Sequence, residues 1–259
     1  MTNPFEAADM AAGYASARPP VHPVVISMVK RRLGLSQKLG CALDVGCGAG
    51  LSTRPLASLA RSVAGVEPSL AMLRFGSGVA PEAGFVAGFA EQLPFRAGCA
   101  DLVTAAGSLN YVADLDRSLA EIERVLAPGG MLVAYDFSQG RWFRHSPALE
   151  EWFAEFRRRY PPPTGSARPL DPALLATAAP RFVPAGDERF RAGIVLDAGA
   201  YLRYMMTETN VASAIAAGTP RGEIQDWCRA TLEPVFAGAE REVLFEGYIA
   251  YFRNGEQSS

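Results

Sequence analysis

The fold is decided by the stretch Ala42-Leu43-Asp44-Val45-Gly46-Cys47-Gly48-Ala49-Gly50-Leu51-Ser52-Thr53. Its first four residues predict a short buried strand. Its three glycines predict a tight turn at which a ligand can approach bare backbone. Ser52 or Thr53 is expected to cap the helix that follows. A glycine-rich turn between a strand and a helix is where open α/β sheets hold nucleotide-like ligands.

Two positions distinguish this loop from a dinucleotide site. The dinucleotide pattern G-x-G-x-x-G requires glycine or alanine where this chain has Leu51. The acid Asp44, two residues before Gly46, would repel a pyrophosphate, whereas it suits a ligand with a positive group such as an ammonium. The loop therefore favours a positively charged nucleotide-like ligand over NAD.

Predicted strands and helices alternate along the N-terminal half, which implies a parallel, doubly wound α/β sheet with right-handed crossovers. Glu67 closes the second predicted strand, 23 residues after Asp44. This spacing is near that of an acid that binds ribose hydroxyls, and a carboxylate can accept from both hydroxyls at once. The alternative is a helix N-terminal acid, because Pro68 and Ser69 begin the next predicted helix.

Four stretches, in this order, resemble the class I S-adenosylmethionine-dependent methyltransferases, and in particular the small-molecule branch called methyltransferase type 11. They are Leu43-Asp44-Val45-Gly46-Cys47-Gly48-Ala49-Gly50, Val66-Glu67-Pro68-Ser69, Ala90-Glu91-Gln92-Leu93-Pro94-Phe95 and Arg124-Val125-Leu126-Ala127-Pro128-Gly129-Gly130. The resemblance covers residues 10–137 well and the remainder loosely. It implies a Rossmann-like methyltransferase fold, a mostly parallel seven-stranded sheet with an antiparallel last strand at 241–253. Residues 1–137 would form an arm and the cofactor-binding half. Residues 138–259 would form a helical cap on the substrate side and the last strands, all within one continuous domain.

The resemblance also implies S-adenosylmethionine as the cofactor, with S-adenosylhomocysteine as its product. Tyr14 and Arg18 would fold over its methionine part, with Arg18 binding the carboxylate. Met72 would lie against the adenine, unless it is a core residue. Relatives often have a polar residue at position 89, so here adenine would be held by stacking and by backbone groups of Phe89 and Ala90. The other implied cofactor-binding residues are Asp44, Gly46, Cys47, Gly48, Gly50, Glu67, Pro68, Gly107 and Leu109.

In the resembled fold, the loop at 107–111 faces the transferable methyl group. Relatives often carry His and an aromatic residue where this chain has Asn110 and Tyr111, so a histidine base is not expected at this position. His145 follows the fifth predicted strand on the substrate side and is the candidate general base, with a surface histidine as the alternative. Methyl transfer mainly requires in-line positioning and exclusion of water, with a base needed only for a harder nucleophile.

Composition supplies the remaining expectations. The net charge of −2 gives no electrostatic reason to propose a nucleic-acid partner. No apolar run approaches the length of a membrane span, which favours a cytoplasmic protein. The four cysteines lack metal-site spacing and are expected to be reduced thiols, with no bound metal. The expected partner is a small-molecule acceptor, and the expected state a monomer or homodimer.

Three function classes remain open. The first is methyl transfer to an O, N or C nucleophile of a small molecule. The second is a non-methyl reaction on the same fold with the cofactor bound, and the third is a binding or regulatory protein with a degenerate site. The intact glycine loop with Asp44 and Glu67 argues against the third class.

Overall fold

A computed structural model describes residues 8–163 and 167–255, with side chains from residue 10 onward. The chain divides into two compact units. The first unit comprises the described parts of Met1–Val21, Ser138–Ser166 and Arg191–Glu246. The second comprises those of His22–Phe137, Ala167–Phe190 and Gly247–Ser259. One border between units coincides with the predicted division after residue 137, but later segments return to the second unit. The division into a cofactor half and a substrate cap stays a prediction, and the first seven residues of the predicted arm lie outside the described residues.

The elements follow the predicted alternation closely. The strands are β1 (Leu39–Val45), β2 (Ala60–Glu67), β3 (Gly84–Ala87), β4 (Ala100–Ala106), β5 (Leu126–Phe137), β6 (Trp142–Phe143), β7 (Phe182–Leu196) and β8 (Arg241–Asn254). The helices are α1 (Ala8–Ala17), α2 (Val21–Arg32), α3 (Leu70–Val79), α4 (Leu115–Val125), α5 (Ala148–Arg159), α6 (Pro172–Ala178), α7 (Ala198–Met205), α8 (Thr209–Ala216) and α9 (Arg221–Phe236). A 3-10 helix spans Arg54–Ser58.

The sheet confirms the predicted fold class. Its strand order is β3-β2-β1-β4-β5-β8-β6, with β7 also paired to β8. Strands β1 to β5 are mutually parallel, and β8 runs antiparallel to β5. The sheet has eight strands where seven were implied. The addition is the two-residue β6, which forms because β8 is long enough to pair with β5 through 247–253 and with β6 through 243–244.

The core of the second unit forms where α4 buries its apolar face. Leu115, Leu119, Ile122 and Leu126 recur every three or four residues and are all buried in one hydrophobic cluster with residues of β1 and β4. Burial of such side chains is worth roughly 1.5–3 kcal/mol each. Asp114 caps α4, its carboxylate accepting a hydrogen bond from the backbone N–H of Arg117.

The glycine loop is followed by a different structure from the one predicted. The short 3-10 helix replaces the expected helix, and Thr53 at its N-terminus makes no side-chain cap bond. The hydroxyls of Ser52 and Thr53 instead donate to the carboxylate of Asp44. The capping prediction is therefore wrong, because the buried acid competes for the same hydroxyl groups.

In the first unit, an aromatic cluster joins α5 to α9. Trp152 stacks on Phe156 and Trp227 with ring centroids 5.3 and 5.8 Å apart, and its indole N–H donates to Thr231. Four large side chains on and directly after α7 are all buried: Tyr201, Tyr204, Met205 and Met206. They form part of the core of this unit.

The cap of α4 can be tested by substitution. Asp114→Ala is expected to lower the free energy of unfolding by about 1 kcal/mol, because the N–H of Arg117 loses its acceptor. Asp114→Asn keeps a capping oxygen without the charge and is expected to stay near the wild type. Urea denaturation measures both variants, and equal losses would show that the charge matters rather than the cap.

Candidate functional site

Asp44 anchors the glycine loop by accepting hydrogen bonds from the residues that follow the loop. The residue is fully buried at the end of β1. Its Oδ2 accepts hydrogen bonds from the hydroxyls of Ser52 (2.6 Å) and Thr53 (2.7 Å), and its Oδ1 from that of Thr104 on β4 (2.9 Å). Burial raises the pKa of Asp44, while the three hydroxyls oppose the rise. These hydrogen bonds hold Asp44 inside the protein, and its expected contact with a ligand ammonium stays a prediction.

The loop itself requires glycine. Gly46, Gly48 and Gly50 have φ values of 70°, 54° and 90°, a region that residues with a side chain rarely adopt. A Cβ on Gly46 would lie 2.3 Å from that of Ser108, whose hydroxyl donates to the carbonyl of Val45 at 2.5 Å. The backbone at the end of β1 is therefore held close to the loop that follows β4.

One phenylalanine ring fills the space beside three glycines. A Cβ on Gly50, Gly65 or Gly76 would lie 3.0, 3.1 and 2.9 Å, respectively, from the ring of Phe85 on β3. Cys47 lies in the same region and is buried, and burial raises the pKa of its thiol. The loop, β2, α3 and β3 are therefore packed with little free volume.

Glu67 bridges the glycine loop and α3. Only 9% of the residue is exposed, and its Oε2 accepts from the N–H of Gly48 (3.1 Å), its Oε1 from that of Ser69 (2.9 Å). Burial raises the pKa of Glu67, and the two N–H groups partly offset the rise. Ser69, directly after Pro68, caps α3 by accepting from the N–H of Met72. Glu67 therefore binds the start of α3, as the alternative expected, and also contacts the glycine loop. Ribose binding by Glu67 stays a prediction.

The residues predicted to meet adenine differ in exposure. Met72 is buried, which fits the core alternative. Phe89 is 65% exposed, and its backbone carbonyl accepts from the N–H of Gln92 in a turn that also contains the partly buried Ala90. The Phe89 ring is therefore available for stacking.

A second polar site lies where β4 and β5 end. Gly107 has a φ of 62°, and its N–H donates to the carbonyl of Tyr135. The amide Nδ2 of Asn110 donates to Oδ2 of Asp136 at 2.9 Å. Leu109 is buried, whereas Tyr111 is 50% exposed. The structure thus joins the predicted Asn110 to an acid that the sequence analysis did not select.

The remaining predicted residues lie in the first unit. Arg18 forms an ion pair with Glu208 (3.0 Å), donates to the carbonyl of Thr207 (3.1 Å) and stacks over the ring of Tyr14 (4.5 Å). The guanidinium of Arg18 is therefore already paired with the carboxylate of Glu208. Binding of a cofactor carboxylate by Arg18 stays a prediction. His145 is exposed in the turn between β6 and α5.

Sequence reasoning missed the polar residues that support the loop rather than form it. They are Thr104, Ser108, and Ser52 and Thr53 as donors to Asp44. Asp136, which accepts from Asn110 in the second polar site, was also missed. Asp136 carried a usable signal, since it ends β5 as Asp44 and Glu67 lie near the ends of β1 and β2. Thr104 and Ser108 carried none, because their partners are more than 55 residues away in the sequence.

Within residues 8–163 and 167–255, no helix combines the length and apolarity needed to cross a bilayer. Within the same residues, no group of three His, Cys, Asp or Glu side chains could hold a metal ion. Their four thiols are unpaired, Cys47 and Cys228 buried, Cys41 and Cys99 partly exposed.

Comparison with known proteins confirms the resemblance found in the sequence. Residues 43–134 match the family model described as "Methyltransferase domain". A curated relative, the demethylmenaquinone methyltransferase of Renibacterium salmoninarum, is 41% identical over 96 residues. That match covers 37% of this chain and 40% of the relative, so it spans less than half the length of either protein.

Solved structures share the fold over most of the chain. A protein from Anaeromyxobacter dehalogenans assigned as a type II methyltransferase has a TM-score of 0.64 and 21% identity, covering 89% of this chain and 95% of that one. A geranyl diphosphate methyltransferase in complex with S-adenosylmethionine has a TM-score of 0.51 and 19% identity, covering 90% and 85%. The [4+2]-cyclase SpnF has a TM-score of 0.54 and 20% identity, covering 90% and 80%. These similarities show a common fold.

The anchoring role of Asp44 predicts a specific loss of stability. Thr104→Val removes one hydroxyl donor at nearly constant volume and is expected to lower the free energy of unfolding by about 1.5–3 kcal/mol, the usual range for a hydrogen bond to a charged group. Thr177→Val, on the exposed face of α6, is the matched control and is expected to stay within about 0.5 kcal/mol. Thermal and urea unfolding measure both, and a stable Thr104→Val variant would contradict the anchor.

Proposed function

We propose, from the methyltransferase-domain match of residues 43–134, that this protein transfers a methyl group from S-adenosylmethionine to a small-molecule acceptor. The observation that carries the proposal is the glycine loop at the end of β1, held by a carboxylate from the end of β2. Glu67 reaches Gly48 across the carboxyl edge of the sheet, which is where ligands bind in open α/β folds.

The residues at this edge fit the proposed cofactor. Each carboxylate oxygen of Glu67 accepts one N–H and retains a second lone pair, so the acid can receive two ribose hydroxyls while still holding the loop. Gly46 and Gly50 allow the loop to pack closely against Ser108 and Phe85, which fixes the backbone next to Glu67. The exposed ring of Phe89 offers a stacking surface for adenine, with backbone groups of Ala90 beside it.

The other residues have supporting roles in this proposal. Asp44 shapes the loop from inside and remains a predicted cofactor-binding residue. Cys47, Pro68, Gly107 and Leu109 also remain predicted cofactor-binding residues of the second unit. Tyr14 and Arg18, in the first unit, remain predicted to bind the methionine part of the cofactor. S-adenosylmethionine, when bound, supplies a methyl group that its positively charged sulfur has already activated. The protein's contribution is to hold the acceptor in line with that methyl group and to exclude water.

The acceptor is a small organic molecule, bound on the side of Asn110 and Tyr111. The name of the Renibacterium relative, a demethylmenaquinone methyltransferase, supports an acceptor of this class. O-, N- and C-methylation are all compatible with the fold. His145 remains a candidate base. We place the reaction in the cytoplasm, in a monomer or homodimer without a membrane partner. The net charge of −2 also gives no reason to add a nucleic-acid partner.

A second candidate function is a reaction other than methyl transfer with the cofactor bound. The observation that favours it is the similarity in fold to a [4+2]-cyclase. Product analysis separates the two functions, because methyl transfer must release S-adenosylhomocysteine in proportion to methylated acceptor. A panel of acceptors with methyl-labelled S-adenosylmethionine provides this measurement.

Ligand binding tests the cofactor directly. Calorimetry is expected to show binding of S-adenosylmethionine and S-adenosylhomocysteine and no binding of NAD, because Leu51 departs from the dinucleotide pattern. Tight binding of NAD with no binding of S-adenosylhomocysteine would overturn the proposal.

Glu67→Ala tests the position of the ribose. The variant is expected to melt at a lower temperature, because two buried N–H groups lose their acceptor. It is also expected to bind S-adenosylhomocysteine about tenfold or more weakly, since hydrogen bonds to charged groups contribute about 1.5–3 kcal/mol each.

Ser69→Ala is the control for Glu67→Ala. It removes the cap of α3 without touching the carboxylate, so it is expected to lower the melting temperature and leave the affinity unchanged. Equal losses of affinity in the two variants would remove the ribose assignment.

A further inference from the structure

We propose that Asp136 accepts the proton of the methyl acceptor, and that the acceptor is therefore a compound with an ionisable O–H group: a phenol, a hydroquinone or an enol. The inference rests on the proposed function and makes its acceptor class specific. It assigns a chemical role to an acid at the end of β5 that the motifs of the sequence did not indicate.

The carboxylate of Asp136 is held in place on both oxygens. Oδ1 accepts from the N–H of Phe137 (2.8 Å), and Oδ2 accepts from Nδ2 of Asn110 (2.9 Å). Each oxygen retains a lone pair that can accept a further hydrogen bond. Because a carboxylate only accepts, the amide of Asn110 must present its N–H₂ to Asp136 and turn its own oxygen away. The pair thus offers a fixed acceptor on each of two side chains.

Gly107 leaves a path to this carboxylate. A Cβ at position 107 would lie 2.9 Å from Oδ1 of Asp136, so any side chain would crowd that oxygen. Its φ of 62° also disfavours other residues. Asp136 is only partly buried. In this proposal, the ligand approaches Oδ1 of Asp136 from the end of β4, over the position that Gly107 leaves without a side chain.

The surroundings make Asp136 a stronger base than a surface carboxylate. Burial raises the pKa of Asp136, whereas the hydrogen bonds from Phe137 and Asn110 hold it down. Tyr248 is its register partner on β8, and the pKa of this phenol is itself raised, by burial and by Asp136 and Asp171. Arg189 lies 5.9 Å from the ring of Tyr248 and opposes that rise. Tyr248 therefore stays protonated and does not compete for the acceptor's proton.

The step balances without a further reactant. The acceptor's O–H proton moves to Oδ1 of Asp136, and its bonding electron pair stays on the acceptor as a phenolate or enolate. The oxygen, or the conjugated carbon, forms a bond to the methyl carbon while the sulfur–methyl bond breaks with its electron pair remaining on sulfur. One proton is released overall, from the O–H after O-methylation or from the ring C–H after C-methylation. General base assistance of this kind typically contributes about 100- to 10,000-fold in rate.

The test compares two isosteric variants on one acceptor panel. Methyl-labelled S-adenosylmethionine is offered with phenols, hydroquinones and 1,3-diketones, and separately with amines and thiols that lack an O–H group. Label is expected in the first group only, and Asp136→Asn is expected to lower kcat by about 100-fold or more. Asp101→Asn is the matched control, because Asp101 likewise accepts two N–H groups, here both from the backbone, but lies at the opposite end of β4. It is expected to leave kcat unchanged.

The pH profile and binding give readouts that a purely structural role would not change. The rate is expected to fall as the pH drops through the pKa of Asp136, because the protonated acid cannot act as a base. In Asn110→Ala this acid limb is expected to move to higher pH, since the lost hydrogen bond had stabilised the ionised form. Calorimetry on the S-adenosylhomocysteine-loaded protein is expected to show that the unmethylated phenol acceptors bind at least tenfold more weakly to Asp136→Asn, because their O–H loses the carboxylate that accepts it.

The outcomes separate this inference from the proposed function. Loss of S-adenosylhomocysteine binding in the wild type would overturn the proposed function itself. Cofactor binding with methylation confined to amines or thiols, or with no panel member methylated, would overturn the role of Asp136. Equal kcat in Asp136→Asn and Asp101→Asn, with unchanged melting temperatures, would do the same.

Discussion

The buried carboxylate of Asp44 is the interaction on which the rest of the site depends. A carboxylate removed from water must be fully hydrogen-bonded, and here three hydroxyls satisfy it. Two of these hydroxyls come from the residues after the glycine loop and one from β4. The loop is therefore folded back on the strand that precedes it and tied to the neighbouring strand. The positive φ values of the loop glycines are the backbone conformation that this arrangement imposes.

Acids lie at or near the ends of three parallel strands, β1, β2 and β5, and burial raises the pKa of each one. Asp44 also raises the pKa of Glu67 through like charge. Burial disfavours a charged group of either sign at this edge, whereas the like charge of ionised acids disfavours further negative charge and favours a cationic ligand. The sulfonium and ammonium groups of S-adenosylmethionine are cationic, and their attraction to these acids does not require direct contact with Asp44.

The sequence predicted the framework well because the framework depends on local patterns. The alternation of strands and helices follows from residues close together in the chain, whereas the antiparallel direction of β8 was implied by the family resemblance. The roles of Thr104, Ser108 and Asp136 did not follow, because each is defined by a partner that only the sheet brings near. Ser52 was misread for a related reason. Its hydroxyl has a local use as a cap and a long-range use toward Asp44, and the long-range acceptor is the stronger one because it is charged.

The ring of Phe85 carries a consequence for how this protein tolerates change. It occupies the space that side chains at Gly50, Gly65 and Gly76 would otherwise need. The coupling in size is strictest between Gly76 and Phe85, because the three atoms nearest to a Cβ on Gly76 all belong to the Phe85 ring, whereas Cys47 also limits Gly65 and a positive φ also limits Gly50. A methyl group at Gly76 becomes acceptable only in a background where position 85 is already smaller, and a smaller residue at 85 alone leaves a cavity. The order in which these two substitutions occur, and not only their identity, then decides whether the pair is accessible from the present sequence.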